Sequence, residues 1–361
     1  MRGSGRGIDA RTSRCRSPSP DRLLGPPSRE AIRGAPYKGQ ELRGRRSRQS
    51  KSFQTRPVRV YSSIQFSESI VAGFGGASRK LQVDAVDAVC SGPYALSQRE
   101  SHPSPVLAFD SIGHGKDSVV VLLHGWPLNR SIWSGVAPRI AAAGSRVLAP
   151  DLPGFGDSPS IELGRATVEA YADEVAKFIG PFRARRVAVA GHSFGGYVAL
   201  ALAERLPDQV AGLGLIASRT TADSETARQG RRDTIEKVRT GGTKVLLPGL
   251  AEKLIGPRGG ATWRHQAELL IERARPDGVI AALAAMATRP DRTVVFDSFA
   301  GPRLVIHGTE DGLIPVSEAA RIERGPPDVR AILAGAGHTP MWDASEATAE
   351  AIIAWTKPFR A

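Results

Sequence analysis

Val187-Ala188-Val189-Ala190-Gly191-His192-Ser193-Phe194-Gly195-Gly196 decides how this chain is read. In the strand candidate Arg186–Ala190, the unbroken apolar run Val187–Ala190 suits a strand buried on both faces rather than one that alternates between core and solvent. From Phe194 to Leu206 the sequence Phe-Gly-Gly-Tyr-Val-Ala-Leu-Ala-Leu-Ala-Glu-Arg-Leu suits a helix. A serine between the two stands on a sharp strand-to-helix turn, clear of the sheet. Glycines two residues to either side let the backbone approach closely. Ser193 is the candidate nucleophile.

A serine hydroxyl attacks well only when a neighbouring base accepts its proton, and the base works best when a carboxylate fixes its tautomer. On a strand–elbow–helix frame the chain order is serine, acid, histidine. His338 lies in Gly335-Ala336-Gly337-His338-Thr339-Pro340, after the last strand candidate and before the last helix, and is the candidate base. Asp311, in His307-Gly308-Thr309-Glu310-Asp311-Gly312, follows the strand candidate Arg303–His307 and is the candidate acid. Glu310 is its neighbour and rival, and Asp223 a more distant one.

Acyl transfer also needs donors for the developing oxyanion, each worth about 3–4 kcal/mol. The backbone N–H of Phe194 is one candidate. The N–H of Trp126 is the other, in the loop His124-Gly125-Trp126-Pro127 that follows the strand candidate Ser118–Leu123. His124 reads as a structural hydrogen-bonding residue, and Asp151–Ser158 as a structural turn behind the site.

Further strands are expected at Pro105–Asp110, Arg146–Pro150, Val210–Ala217 and Val329–Leu333, and helices at 168–179, Val316–Glu323 and Ser345–Trp355. Strands alternating with helices predict a mostly parallel twisted sheet covered on both faces. Residues 219–297 break the alternation. They offer helices near Asp223–Arg239, Thr243–Leu254, Thr262–Ala274 and Asp277–Thr288, with no convincing strand, and so form a candidate lid. The expected division is an extension over 1–101, a core in two parts over 102–218 and 298–361, and a helical lid over 219–297.

Together these motifs resemble the α/β-hydrolase superfamily, and within it the cofactor-free esterases, enol-lactonases and perhydrolase-type haloperoxidases. The similarity rests on Leu122–Pro127, Asp151–Ser158, Gly191–Gly196, Val305–Pro315 and Gly335–His338, covering about residues 104–357. It implies the α/β-hydrolase fold, the triad and oxyanion hole named above, and a helical lid. The segment Met286–Asp291 also resembles lids of the enol-lactonase-like branch. Serine at the elbow separates the chain from relatives with an aspartate nucleophile. The sequence departs from the family after His338, where Met341-Trp342-Asp343-Ala344-Ser345 replaces an acidic residue followed by proline. Trp133, Met286, Met341 and Trp342 are candidates to line a substrate pocket. The expected activity is hydrolysis of a small-molecule ester or lactone. Perhydrolase, haloperoxidase or carbon–carbon hydrolase chemistry on the same triad, and a ligand-binding protein with little turnover, are the alternatives.

The charge belongs to one end of the chain. Of 49 basic and 36 acidic side chains, 19 and 8 lie in residues 1–100, leaving 30 and 28 for the remainder. The net charge of +13 therefore makes no nucleic-acid binder of the folded part. The first hundred residues, rich in Arg, Ser, Gly and Pro, suit a disordered extension. They could serve as a transit peptide or a tail, or reflect an over-long gene start. Cytoplasmic residence is expected, with organelle import as the alternative. Both cysteines, Cys15 and Cys90, fall in that extension, so no disulfide framework is expected beyond it. No metal, organic cofactor or membrane contact is expected either.

Overall fold

The computed structural model describes residues 107–114, 119–182, 187–321 and 328–359. The expected extension over 1–101, with both cysteines, lies outside them. Among the described residues no helix is long and apolar enough to cross a membrane.

Among the described residues seven strands form one sheet: β1 (Phe109–Ile112), β2 (Val119–Leu123), β3 (Arg146–Pro150), β4 (Val187–His192), β5 (Val210–Ile216), β6 (Arg303–Gly308) and β7 (Val329–Leu333). Their order is β1-β3-β2-β4-β5-β6-β7. Every pairing is parallel except β1 with β3, which runs antiparallel in the register Phe109 opposite Pro150. Central β2, β4 and β5 are buried at every residue, which their continuous apolar sequences require. The edge strands β1 and β7 are only partly covered. Of the expected strand Pro105–Asp110, residues 105 and 106 lie outside the described residues; β1 runs over Phe109–Ile112, aligned with Val147–Pro150.

Before the long helical interval come the helices α1 (Ala137–Ala142), α2 (Val168–Ile179) and α3 (Phe194–Arg205). On α2, Val168, Tyr171, Ala172, Val175 and Ile179 turn one face to the core, and Thr167 caps the start by accepting from the Ala170 N–H. The sheet lies between α2–α3 on one face and α1 with the C-terminal helix on the other.

Between β5 and β6 the chain is helical: α4 (Glu225–Gly241), α5 (Leu247–Leu254), α6 (Gly260–Arg273), α7 (Pro276–Thr288) and α8 (Thr293–Asp297). The second of these differs from the expected unbroken Thr243–Leu254. A short 3-10 turn covers Thr243–Leu246, and α5 is kinked where Pro248 is extended and Gly249 takes φ 81°. The small helix α8 has no counterpart in the sequence reading. After β6 come α9 (Ser317–Arg321), the single turn α10 (Pro340–Asp343) and α11 (Ser345–Thr356).

A buried ionic cluster anchors both ends of the helical insertion. Asp223, just before α4, is 4% exposed and accepts from Arg289 beyond α7 at 2.6 Å, from Arg219 at 2.7 Å and from Arg231 of α4. The guanidinium of Arg289 also lies 3.9 Å from the Tyr197 ring centre on α3. Burial alone would raise the Asp223 carboxyl, but Arg231 and Arg289 hold it down at about 2.

Candidate active site

Ser193 sits between the last residue of β4 and the first of α3, at φ 49° and ψ −113°. A non-glycine residue pays about 1–3 kcal/mol for such backbone, and holds it only where neighbours over-determine it. Here they do. The Ser193 N–H donates to Ile216 O at 2.9 Å, and Ser193 O accepts from the Ser218 hydroxyl at 2.8 Å and the Gly196 N–H at 2.9 Å. The elbow also depends on missing side chains. A Cβ on Gly191 would run into the Gly195 carbonyl, and one on Gly195 would stand 2.5 Å from Leu123 O.

His338 lies between β7 and α10, with its side chain buried. Its Nδ1 donates to both carboxylate oxygens of Asp311, at 2.9 and 2.8 Å. Asp311 follows β6, and its Oδ1 also accepts the backbone N–H groups of Leu313 and Ile314 at 2.8 Å each. His307 Nε2 approaches Asp311 Oδ2 at 3.2 Å and donates to Ile314 O at 2.8 Å. Burial would raise the Asp311 carboxyl. The adjacent His338, then the bonds from His307, His338 and the Ile314 N–H, outweigh it and hold the group far below the usual carboxylate range. The rivals are placed elsewhere: exposed Glu310 meets the Thr309 hydroxyl at 3.2 Å, and Asp223 serves the arginine cluster.

With Nδ1 committed to Asp311, His338 Nε2 is the acceptor nitrogen, and it is buried without a hydrogen-bond partner. Contact with a serine hydroxyl is often long in unliganded sites and tightens when substrate arrives. Ser193 reaches the histidine through its neighbour: His192 Nε2 donates to His338 O at 2.7 Å, and the two rings lie 5.0 Å apart. Burial, with the nearby His338 adding to it, lowers His192 to about 3, so that ring is neutral.

The Phe194 N–H opens α3, where first-turn N–H groups have no acceptor inside the helix. The Phe194 ring packs edge-on against Tyr171, centroids 4.9 Å apart. Trp126 follows β2 and precedes a cis peptide to Pro127, and its indole donates to Val279 O on α7 at 3.3 Å. Gly125 lies directly against the elbow: a Cβ there would stand 3.1 Å from Ser193 Cβ and would overlap His192 Nδ1. His124 is locked in place, donating from Nδ1 to Gly125 O at 3.0 Å and accepting the Leu152 N–H on Nε2 at 2.8 Å.

The turn Asp151–Ser158 has a structural part. Buried Asp151 accepts the Arg130 N–H at 2.8 Å, the Arg130 guanidinium and the Asp157 N–H at 2.9 Å, and Ser158 donates back to Asp151 O. Trp133, Met286, Met341 and Trp342 all belong to the main hydrophobic core, and Trp342 stacks on Trp263 at 5.3 Å. Among the described residues no cluster of three or more His, Cys, Asp or Glu side chains could hold a metal. His192, His307 and Asp343 are not among the site residues expected from sequence. The first stood inside the decisive motif, and its proximity to Ser193 was the available signal.

A model of the alpha/beta hydrolase family matches residues 120–351. The chain belongs to that family. A pimeloyl-[acyl-carrier protein] methyl ester esterase of Sodalis glossinidius (strain morsitans) is 31% identical over 244 residues, spanning 65% of this chain and 91% of the relative. A thermophilic esterase of Thermogutta terrifontis is 33% identical with a TM-score of 0.67, covering 71% of this chain and 94% of that one. A bromoperoxidase of Bacillus anthracis shares the fold at 20% identity and a TM-score of 0.60, covering 70% and 95% of the two chains.

Proposed function

We propose that this α/β hydrolase cleaves a small carboxylic ester or lactone through an acyl-enzyme on Ser193. The observation that carries the reading is the His338 ring, held on Nδ1 by both oxygens of Asp311 and left with an unpartnered Nε2, its centre 5.0 Å from the ring of His192, the residue before Ser193. The esterase relatives support the reaction class.

Ser193 Oγ attacks the ester carbonyl as His338 Nε2 takes its proton. Asp311 orients the ring and balances the imidazolium charge. The N–H groups of Phe194 and Trp126 receive the tetrahedral oxyanion. His338 then protonates the departing alkoxide, and in the second half removes a proton from the water that attacks the acyl-enzyme. Hydrolysis releases the acid and restores Ser193.

The helical stretch 219–297 acts in this reading as a lid between the core parts 102–218 and 298–361. The bond from the Trp126 indole to Val279 O ties the oxyanion loop to the helix that carries Met286. Met286, on that helix, is in this reading a candidate for the acyl wall, with Trp133, Met341 and Trp342 as further candidates.

The test is a panel of p-nitrophenyl acetate and butyrate, aliphatic methyl esters, and five- and six-membered lactones. We expect saturable hydrolysis, lowered about 10⁶-fold in kcat by Ser193→Ala or His338→Ala. Hydrolysis that persists at the wild-type rate in both variants overturns the proposal.

A further inference from the structure

Asp343 ends the single turn α10, five residues after His338, and its side chain folds back toward the start of the histidine loop. One oxygen, Oδ2, accepts two backbone N–H groups: Gly337, the residue before His338, at 2.6 Å, and Gly256, in the turn between α5 and α6, at 2.9 Å. The second oxygen is buried without a hydrogen-bond partner. It rests where a Cβ on Gly259 would overlap it. A carboxylate in such a place loses its water, and burial pushes the Asp343 carboxyl up against the pull of the two N–H bonds.

Other contacts run across the same junction. Thr339, the residue after His338, donates to Leu254 O through both its N–H and its hydroxyl, each at 3.0 Å. Arg258 donates from its backbone to Gly335 O at 3.4 Å and from its guanidinium to Ala334 O at 3.2 Å. The two backbones meet with no room for a side chain: a Cβ on Gly256 would overlap Gly337 N, and one on Gly337 would overlap Gly256 N. Beyond the turn, Trp263 of α6 stacks on Trp342 with planes 7° apart. Thr339 is thus bonded directly to Leu254, and Gly337 is joined to Gly256 through a single oxygen of Asp343.

We propose that Asp343 is a positioning residue that clasps the α5–α6 turn of the helical insertion to the histidine loop, so that the placement of His338 depends on the insertion being seated. This rests on the reading of His338 as the general base. The acceptor oxygen carries the role rather than the charge, because both partners are neutral backbone N–H groups.

The experiment compares Asp343→Ala, Asp343→Asn and His338→Ala in the full chain. Esterase kcat and KM are measured on p-nitrophenyl butyrate, with rates normalised to the sites that react with a fluorophosphonate. We expect Asp343→Ala to lose about 10²-fold in kcat per labelled site, the scale of a misplacement near 1 Å. Its KM should stay within a few-fold, and trypsin should cut faster after Lys253 and Arg258. Asp343→Asn, which keeps an acceptor oxygen for both N–H groups, should recover most of the kcat. A residue that only stabilises the fold would lower the fraction of labelled sites and leave kcat per site unchanged. That result, or an Asn variant as impaired as the Ala variant, overturns the clasp. If Asp343→Ala does not fold, Thr339→Val removes one bond from the same junction. A several-fold lower kcat at unchanged KM supports the proposal, and wild-type kcat overturns it. Full activity in His338→Ala would overturn the base assignment, whereas an inactive His338→Ala beside a fully active Asp343→Ala overturns the clasp alone.

Discussion

The imidazole of His192 donates from Nε2 to the carbonyl oxygen of His338 at 2.7 Å, joining the backbone of the elbow to that of the histidine loop across 146 residues of sequence. Both groups are buried, so losing the donor leaves a carbonyl without a partner, at a cost of about 1–3 kcal/mol. His192→Phe should lower thermal stability by that order and reduce kcat, whereas His192→Gln, which keeps an N–H donor, should lose less. Calorimetry and kcat on a p-nitrophenyl ester check this.

The same residue gives the protein an acid-sensitive stability. Its folded value of about 3 lies below the roughly 6.5 of an unfolded histidine. Between those values the unfolded chain binds the extra proton, so stability rises with pH across that window and falls as the solution is acidified from about 6.5 toward 3. Melting temperatures between pH 7 and 5 should drop in the wild type, and the drop should be shallower in His192→Gln. An equal slope in both would assign the sensitivity elsewhere.

Asp311 and Glu310 separate cleanly in the structure, and their variants should too. Asp311→Asn no longer stabilises the imidazolium and permits the wrong tautomer, at a cost of about 10⁴ in kcat. Glu310→Gln changes an exposed side chain bonded to its neighbour and should leave kcat within about two-fold. Steady-state rates on one ester decide it. A full loss from Glu310→Gln with little from Asp311→Asn would contradict the assignment.

Gly195 lets α3 lie against the end of β2. In Gly195→Ala the new methyl would stand 2.5 Å from Leu123 O and 2.6 Å from His124 O. The start of α3 must then withdraw from the 124–126 loop, pulling the Phe194 and Trp126 N–H groups out of register. We expect kcat to fall by about 10²–10³, the cost of an oxyanion donor, and stability by about 1–3 kcal/mol. Kinetics and urea denaturation measure the two separately.

Asp223→Ala should destabilise without acting on the chemistry. It leaves Arg289, 3% exposed, without its buried carboxylate, and breaking a buried pair in this way costs about 3–5 kcal/mol. Because the Asp223 carboxyl is depressed to about 2, its stabilisation is present above the unfolded value near 3.9 and is lost as pH falls toward 2. Urea midpoints at pH 7 and pH 3 should therefore differ more in the wild type than in the variant.

Much of the sheet was legible because its central strands are buried on both faces and so carry unbroken apolar sequence. The elbow was legible because a strand, a glycine-flanked serine and a helix follow one another directly. Chain order placed Asp311 and His338, and the structure brings their side chains together. What stayed hidden depends on groups far apart in sequence. Gly256 and Asp343 are 87 residues apart, and the bond between them leaves no local pattern. The kink in α5 could have been read from Pro248-Gly249, where a proline and a positive-φ glycine interrupt an otherwise helical stretch. The aromatic and methionine side chains near the site were the least legible, since core packing and pocket lining demand the same residue types.

The nucleophile is the claim on which the rest depends. Intact-protein mass spectrometry after treatment with a fluorophosphonate, on the wild type and on Ser193→Ala, tests it most directly. One stoichiometric adduct is expected on the wild type, mapped to the peptide containing Ser193, and none on Ser193→Ala. An adduct that persists in Ser193→Ala would contradict it.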